Sequence, residues 1–356
     1  MGLGTNQTGV IVADKWIGEI WQDEAIATYE AKAVMRNLVE VFQHQKHKGD
    51  VIHRPNPARG EATAKAVNTQ VTLIADTAGE ITISINKHFE YSKMYEDIAD
   101  MLALNGMKRF YTKDAGYALA KRTDGELHML GAIAQGGVLT AAGTTTYEKG
   151  VIGGDGSTNF SGAANSNTGN GTALTDAGLR QAMQTLEDAD VNTGECGLVV
   201  PPTVIKTLRG IARFTEQAFV GDGKTIRTGR IGNLYGVEVY ASSLCPWIHV
   251  NSVTGTQSVR VFRTSAGVAP STAPTGTTFT DDFGLVVDWD TTSPTDTKYR
   301  ACLLVHPDAM VLAEAQSIRT QQQYKQEYLG YLVTSDTVFG TAELRDYASL
   351  VITVPS

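Results

Sequence analysis

With 356 residues, 42% hydrophobic and only 19% charged, the chain can bury one large or two ordinary cores, and its low charge fraction implies a surface either largely neutral or covered by neighbours. Its formal net charge of −8 argues against a general nucleic-acid binder, which shows a basic face or tail. The three cysteines, Cys196, Cys245 and Cys302, are too scattered for a zinc or redox pair, and read as buried free thiols in a reducing cytoplasm.

The N-terminus has no basic-then-apolar leader, Asn6 breaks the myristoylation pattern, and no apolar run approaches a membrane span, so no membrane partner is expected. Residues 14–42 place Trp16, Ile20 and Trp21, then Val34, Leu38 and Val41, at helical spacings. Two tryptophans on a short amphipathic piece without an evident core predict an arm that seeks a partner surface. From Lys48 to Phe89 the texture is Gly, Pro and Ala between β-patterned flanks. In "ITISINKHF", Ile81, Ile83 and Ile85 alternate with Thr82, Ser84 and Asn86, the period of a half-buried strand. The whole reads as a hairpin-like excursion too polar and thin to own a core.

Next, Tyr95, Ile98, Met101 and Leu102, then Met107, Phe110, Tyr111, Ala115, Ala118 and Leu119, recur every three or four residues. They predict a long amphipathic helix from about Tyr91 to Leu127, with Asn105-Gly106 as a candidate break. Residues 131–172 are Gly, Ser, Thr, Asn and Ala almost throughout and predict an extended loop or insertion. A helix over about 175–190 carries Leu179, Met183 and Leu186 on one face, with Thr175 or Asp176 as cap. It leads into the short strand "GLVVPP" and a helix at "TVIKTLRGI", a compact α/β unit. Residues 251–299 are rich in Thr, Ser and Pro around the strands "VRVFR" and "GLVVDW"; the strand "CLLVHP", a turn or helix at "DAMVLAEAQ" and the strand "YASLVITV" close the chain.

Catalytic signatures are weak. Gly221-Asp222-Gly223-Lys224-Thr225 looks like the end of a phosphate loop, but the position five before Gly223 is Ala218, and the glycines at 229, 232 and 236 leave no helix to follow. Gly232 and Gly236 instead suit a hairpin that turns Val237 and Val239 into a core. His44 and His47 stand at i, i+3 but beside Lys46 and Lys48 with no carboxylate, so solvated residues are the reading over a metal pair. Asp281-Asp282 and Asp288 with Asp290 read as loop acids, a weak calcium site being the lesser alternative. No cofactor, metal site or catalytic residue is expected. Arg54, Arg59 and Lys65 make the excursion basic without interleaved aromatics, which favours salt bridges to an acidic neighbour over nucleic acid.

Taken in order, these segments resemble the major capsid proteins of tailed double-stranded DNA bacteriophages, with the Hong Kong 97-type shell fold shared by herpesvirus floor domains and encapsulins. The stretch from Gly49-Asp50 to Phe89 resembles the extended loop, "MKRFYTKDAGYALAKRTDGEL" the spine helix, "GLVVPPTVIKTL" and "GRIGNLYGVEVYASSLCP" the axial domain, and "LLVHPDAMVLAEAQ" with "YASLVITV" the return into the peripheral domain. The resemblance implies an α+β fold with an N-terminal arm (1–47), an extended β-hairpin loop (48–89), a peripheral domain with a long spine helix (90–130), an insertion (131–172), an axial α/β domain (173–306, including a second insertion at 251–299) and a peripheral return with a C-terminal strand (307–356).

It further implies a non-enzymatic subunit that self-assembles into hexamers and pentamers of an icosahedral head around DNA held without sequence specificity. Such a subunit is assembled in the host bacterial cytoplasm and works with portal and scaffolding proteins and, optionally, a decoration protein. Assembly contacts are expected at Trp16, Trp21, Arg54, Arg59 and Lys65. In some relatives a lysine of this loop forms an isopeptide crosslink; Lys65 lies in the right region, but neither an asparagine partner nor a catalytic acid is identifiable. The alternatives are an encapsulin-type compartment shell, an enzyme using the glycine loop at 221–224, and a secreted adhesion domain.

Overall fold

In the computed structural model, the described residues are 33–43, 49–57, 62–71, 73, 78–96, 107–133, 151–156, 173–211, 232–253, 256–262, 278–280, 286–288 and 297–355. They form an α+β architecture around two main sheets. The first sheet has the order β1-β14-β15-β4, built from Glu40–Gln43 (β1), Lys87–Glu96 (β4), Met310–Lys325 (β14) and Gly330–Glu343 (β15). A separate antiparallel hairpin, Val51–Pro57 (β2) and Ala78–Ser84 (β3), stands beside it.

The second sheet centres on Thr297–Val305 (β13). One edge of β13 is shared between Trp247–Val253 (β9) and Gly197–Val200 (β6), and the other is lined by Ser349–Pro355 (β16). Thr256–Phe262 (β10) extends it beyond β9, Val237–Ala241 (β8) and Asn233–Leu234 (β7) extend it beyond β6, and Val151–Gly153 (β5) runs parallel to β16. Thr278–Thr280 (β11) and Val286–Asp288 (β12) pair with each other.

Period-two alternation divides the second sheet between two cores. Val199, Ala301, Leu303, Val305 and Val351 face a cluster that also takes Met35, Leu127, Met310 and Phe339, joining this sheet to the first. Leu198, Val200, Cys302, Leu304, Leu350 and Ile352 face the opposite cluster, with helices Asp176–Glu187 (α2) and Pro202–Arg209 (α3). A strand covered on both faces reads as an unbroken apolar run, which is why β6 is buried at all four positions.

Helix α2 is as expected: Thr175 accepts from the Gly178 N–H at 3.1 Å, and Leu179, Met183 and Leu186 are buried. The β7–β8 hairpin also matches. Its two-residue turn, Tyr235 at φ 53° and Gly236 at φ 92°, has the positive dihedrals of a primed turn, and Val237 is buried while Val239 packs half-buried on the same core.

Four expectations need correction. Tyr91–Glu96 belong to β4 and not to a helix; the helix, α1, spans Met107–Ile133, starting after Asn105-Gly106. Aromatics at 89, 91 and 95 satisfy either period, and pairing with β15 decided for the strand. At "DAMVLAEAQ" a short 3-10 turn, Pro307–Ala309, gives way to β14 rather than to a helix, since Met310 and Leu312 fill one core while Val311 and Ala313 fill another.

The low-complexity stretches also contribute to the fold. Val151–Gly153, within a stretch expected to be loop, adds a strand to β16, whereas the two strands expected within 251–299 do form, β10 extending the second sheet beyond β9 and β12 pairing with β11. Finally, the β2–β3 hairpin does not leave its apolar face bare: Ile83 is buried with Val311, Ala313 and Leu344 of the same chain, and Ile52, Ile81 and Ile85 pack around them. The crossing is tight, because a Cβ at Gly340 would lie 2.2 Å from the Ser84 carbonyl oxygen.

Candidate assembly surfaces

The base of the β2–β3 hairpin is anchored by its isoleucines, but among the described residues beyond Pro57 none joins a core. Residues 62–71 and 73 are exposed, with Val67, Val71 and Leu73 showing 89%, 64% and 91% of their surface. A turn marks the tip: the Thr69 hydroxyl donates to the Ala66 carbonyl at 2.7 Å, and Asn68 takes φ 61°, a conformation its short amide side chain tolerates. Lys65 lies on this exposed tip.

Arg54 sits at the base, where its guanidinium donates to Glu40 of β1 at 2.7 Å, and His53 lies 3.3 Å from Glu80. Two of the hairpin's cationic or titratable groups thus face acids of their own chain, and the base is less positive than the run of basic residues suggests. Trp16, Trp21, Arg59, His44, His47 and Gly221 to Lys224 lie outside the described residues. Among the described residues, the structure places Arg54 and Lys65 on one hairpin, at its two ends.

A second projecting surface has no counterpart among the expected sites. The outer half of β14 and the turn to β15 are exposed from Ser317 through Leu329, save for the half-buried Lys325, with Tyr328 at 60% and Leu329 at 66%. Tyr331 stacks with Tyr95 at 5.9 Å and meets Tyr324 edge-on at 5.1 Å, so three tyrosines stiffen this end of the sheet. Exposed aromatics near a loop rich in Gln give no periodic signal in sequence, and only the pairing of β4, β14 and β15 gathers them.

Asp336, on β15, fastens the middle of the same sheet. It accepts from Arg319 through both carboxylate oxygens, at 3.1 and 2.8 Å, and from the Gln316 amide at 3.2 Å, with His88 of β4 at 3.4 Å. The Arg319 hydrogen bonds hold its carboxyl below the usual range, with the Arg319 and His88 charges adding to the effect and burial opposing it. The body of the sheet is tied to α1 by Lys87 and Arg122, both paired with Glu126, and by the Arg122 guanidinium 4.5 Å from the centre of the Phe89 ring.

Cys196, Cys245 and Cys302 are buried and in no disulfide; burial pushes Cys196 up to about 11 and Cys302 well above its ordinary value, so neither is a ready thiolate. Among the described residues no group of His, Cys, Asp and Glu could hold a metal, and no helix is long and apolar enough to cross a membrane.

No family model and no curated protein matches the chain. Solved structures do. The chain is similar to a protein in the capsid structure of the cyanophage P-SCSP1u, with a TM-score of 0.66 at 16% identity, covering 100% of this chain and 98% of the other. A chain of the bacteriophage PhiM1 mature capsid matches with a TM-score of 0.62 at 14% identity, over 95% and 92% of the two chains. The capsid of Ralstonia phage GP4 matches at 0.60 and 13% identity, over 100% and 98%. At such identities the likeness is one of fold, and it extends over more than nine-tenths of both partners in each case: the chain has the fold of bacteriophage capsid subunits.

Proposed function

We propose that the chain is the major shell subunit of a tailed-phage head, a structural protein that closes into hexamers and pentamers around double-stranded DNA. The observation that carries this reading is the end-to-end match to phage capsid chains, with 98% of the P-SCSP1u chain and 98% of the GP4 chain covered, which leaves no large part of either without a counterpart here. On this reading the arm is residues 1–47, the extended loop 48–89, the peripheral domain 90–130 with a return at 307–356, and the axial domain 173–306. The stretches 131–172 and 251–299 are elaborations upon it.

The two exposed projections support the same conclusion. A hairpin tip exposing Val67, Val71 and Leu73, and a second tip exposing Tyr328 and Leu329, are costly to leave in water but become productive when neighbouring copies cover them. Lys65 and Arg54 sit on the first projection, and with Trp16, Trp21 and Arg59 they are the residues through which we expect the arm and loop to reach adjacent subunits. The net charge of −8 suits a wall that must not grip the DNA it encloses. Portal and scaffolding proteins, and optionally a decoration protein, complete the head, which forms in the host bacterial cytoplasm and persists in the virion.

The test is negative-stain microscopy of the expressed full chain, alone and together with its genomic neighbours. Closed isometric shells of uniform diameter are expected. A protein that stays monomeric at high concentration, with or without those neighbours, refutes the proposal, and shells that package a dedicated protein in place of DNA identify a compartment rather than a head.

A further inference from the structure

Three tyrosines stand in one row at the outer end of the first sheet. The ladder sets Tyr95 of β4 opposite Tyr331 of β15, and Tyr331 opposite Tyr324 of β14, so the three share one face at strand spacings of about 4.8 Å. Tyr331 therefore neighbours both. Its ring centre lies 5.9 Å from that of Tyr95 with the planes 29° apart, and 5.1 Å from that of Tyr324 with the planes at 66°. Water reaches the closer pair, since Tyr324 is 39% exposed and Tyr331 is half-buried, while the Tyr95 hydroxyl accepts from the Gln322 amide at 3.2 Å. Residues 325–330 between that pair form a tight turn, in which Leu329 takes φ 46°, a left-handed conformation that is costly for a bulky side chain. The turn and the ladder together hold two phenols against each other.

We propose that Tyr324 and Tyr331 form an oxidative coupling site, at which a one-electron oxidant joins the two rings into a biphenol that staples β14 to β15. Each phenol gives one electron to the oxidant and one proton to water, which leaves two phenoxyl radicals. These combine through ring carbons ortho to the oxygens, and tautomerisation moves the hydrogen of each joined carbon to its oxygen, restoring both phenols. One carbon–carbon bond forms, two hydrogens leave as protons and electrons, and two equivalents of oxidant are reduced. Because loop-closure entropy grows with loop length, a staple across so short a turn adds little to subunit stability. Its effect is to fix the direction of the tip that carries Tyr328 and Leu329. The proposal concerns the folded subunit and stands or falls independently of whether shells form.

Illumination of the full chain with tris(bipyridine)ruthenium and persulfate, at a concentration where it is monomeric, supplies the oxidant. Trypsin then cuts after Arg319, Lys325 and Arg345, so mass spectrometry reads the staple as peptide 320–325 joined to peptide 326–345 with the loss of two hydrogens. This link is expected to dominate, to disappear in Tyr324→Phe and in Tyr331→Phe, and to keep its yield in Tyr328→Phe. Phenylalanine preserves the ring, so the loss reports the phenol and not the fold. A link that survives Tyr331→Phe, or links of equal yield at the exposed Tyr235 and Tyr347, overturn the proposal. So does an equal yield from the urea-unfolded chain, which assigns the coupling to closeness in sequence, and so do links found only between copies.

Discussion

The two halves of β14 share one strand and one hydrogen-bonding partner, yet they live in different environments. From Met310 to Ala313 every residue is fully buried, because one face meets the central core and the other meets the isoleucines of the β2–β3 hairpin. From Ser317 to Tyr324 every residue is exposed. Between them the pairing with β15 shifts register twice, at Glu314 to Gln316 and at Gln316 to Arg319, and such bulges bend and twist a strand away from its original plane. Backbone pairing, the Asp336 hydrogen bonds and the tyrosine contacts carry the sheet outward past its core; on the proposed reading the inner half serves subunit stability and the outer half serves contacts between copies.

Core truncation tests this division most severely. Leu312→Ala is expected to destabilise the subunit by about 2–5 kcal/mol, while Ile318→Ala, only six positions along the strand, changes it by about 0.5 kcal/mol or less. Urea unfolding of both variants makes the comparison, and similar losses would erase the proposed distinction between the halves.

The Asp336 clamp lies at the boundary, so its removal is expected to be intermediate. Asp336→Asn costs about 1–2 kcal/mol near neutral pH by weakening the hydrogen bonds from Arg319 and Gln316. Because the folded-state pKa of Asp336 is depressed, its contribution is present above the ordinary carboxylate range of about 4 and fades as pH falls through that value toward the lower folded pKa. The stability gap between the two proteins should close in acid; a gap that persists unchanged at about pH 2 would remove the charge from the explanation.

Thr175→Ala, which strips the N-cap from α2 in the opposite core, is expected to cost about 1 kcal/mol. Thermal unfolding reads this directly, and a loss as large as that of Leu312→Ala would mean that helix capping and core packing are not separable here.

The smallest effects on the subunit are expected at the projections. Paired Tyr328→Ser and Leu329→Ser should leave unfolding unaltered while lowering the yield of closed shells, as judged by sedimentation. Arg54→Glu with Arg59→Glu should cost no more than about 1 kcal/mol, since the Arg54–Glu40 pair is partly exposed, and should weaken assembly most at low salt. A large fall in subunit melting temperature with normal shells would show that these charges serve only their own chain.

The sequence by itself determined those elements whose pattern is local. Thr175 with Leu179, Met183 and Leu186 specified α2 with its cap, the glycines around Leu234 specified the β7–β8 turn, and alternating isoleucines specified β3 with its half-buried face. Tertiary structure alone decided β14, whose base of Met, Val, Leu and Ala lost its alternation by being covered on both sides. It decided β4, whose tyrosine spacing suits a helix until β15 supplies an edge, and the placement of Val151–Gly153 beside β16. The candidate assembly surfaces divide in the same way: an excursion lacking a core of its own could be seen from composition, whereas the seat of its isoleucines on Val311 and Ala313 required residues more than 200 positions apart to meet, and the Asp336 clamp required the β14–β15 pairing to bring Arg319 and Gln316 to it with His88 of β4; no local period encodes such meetings.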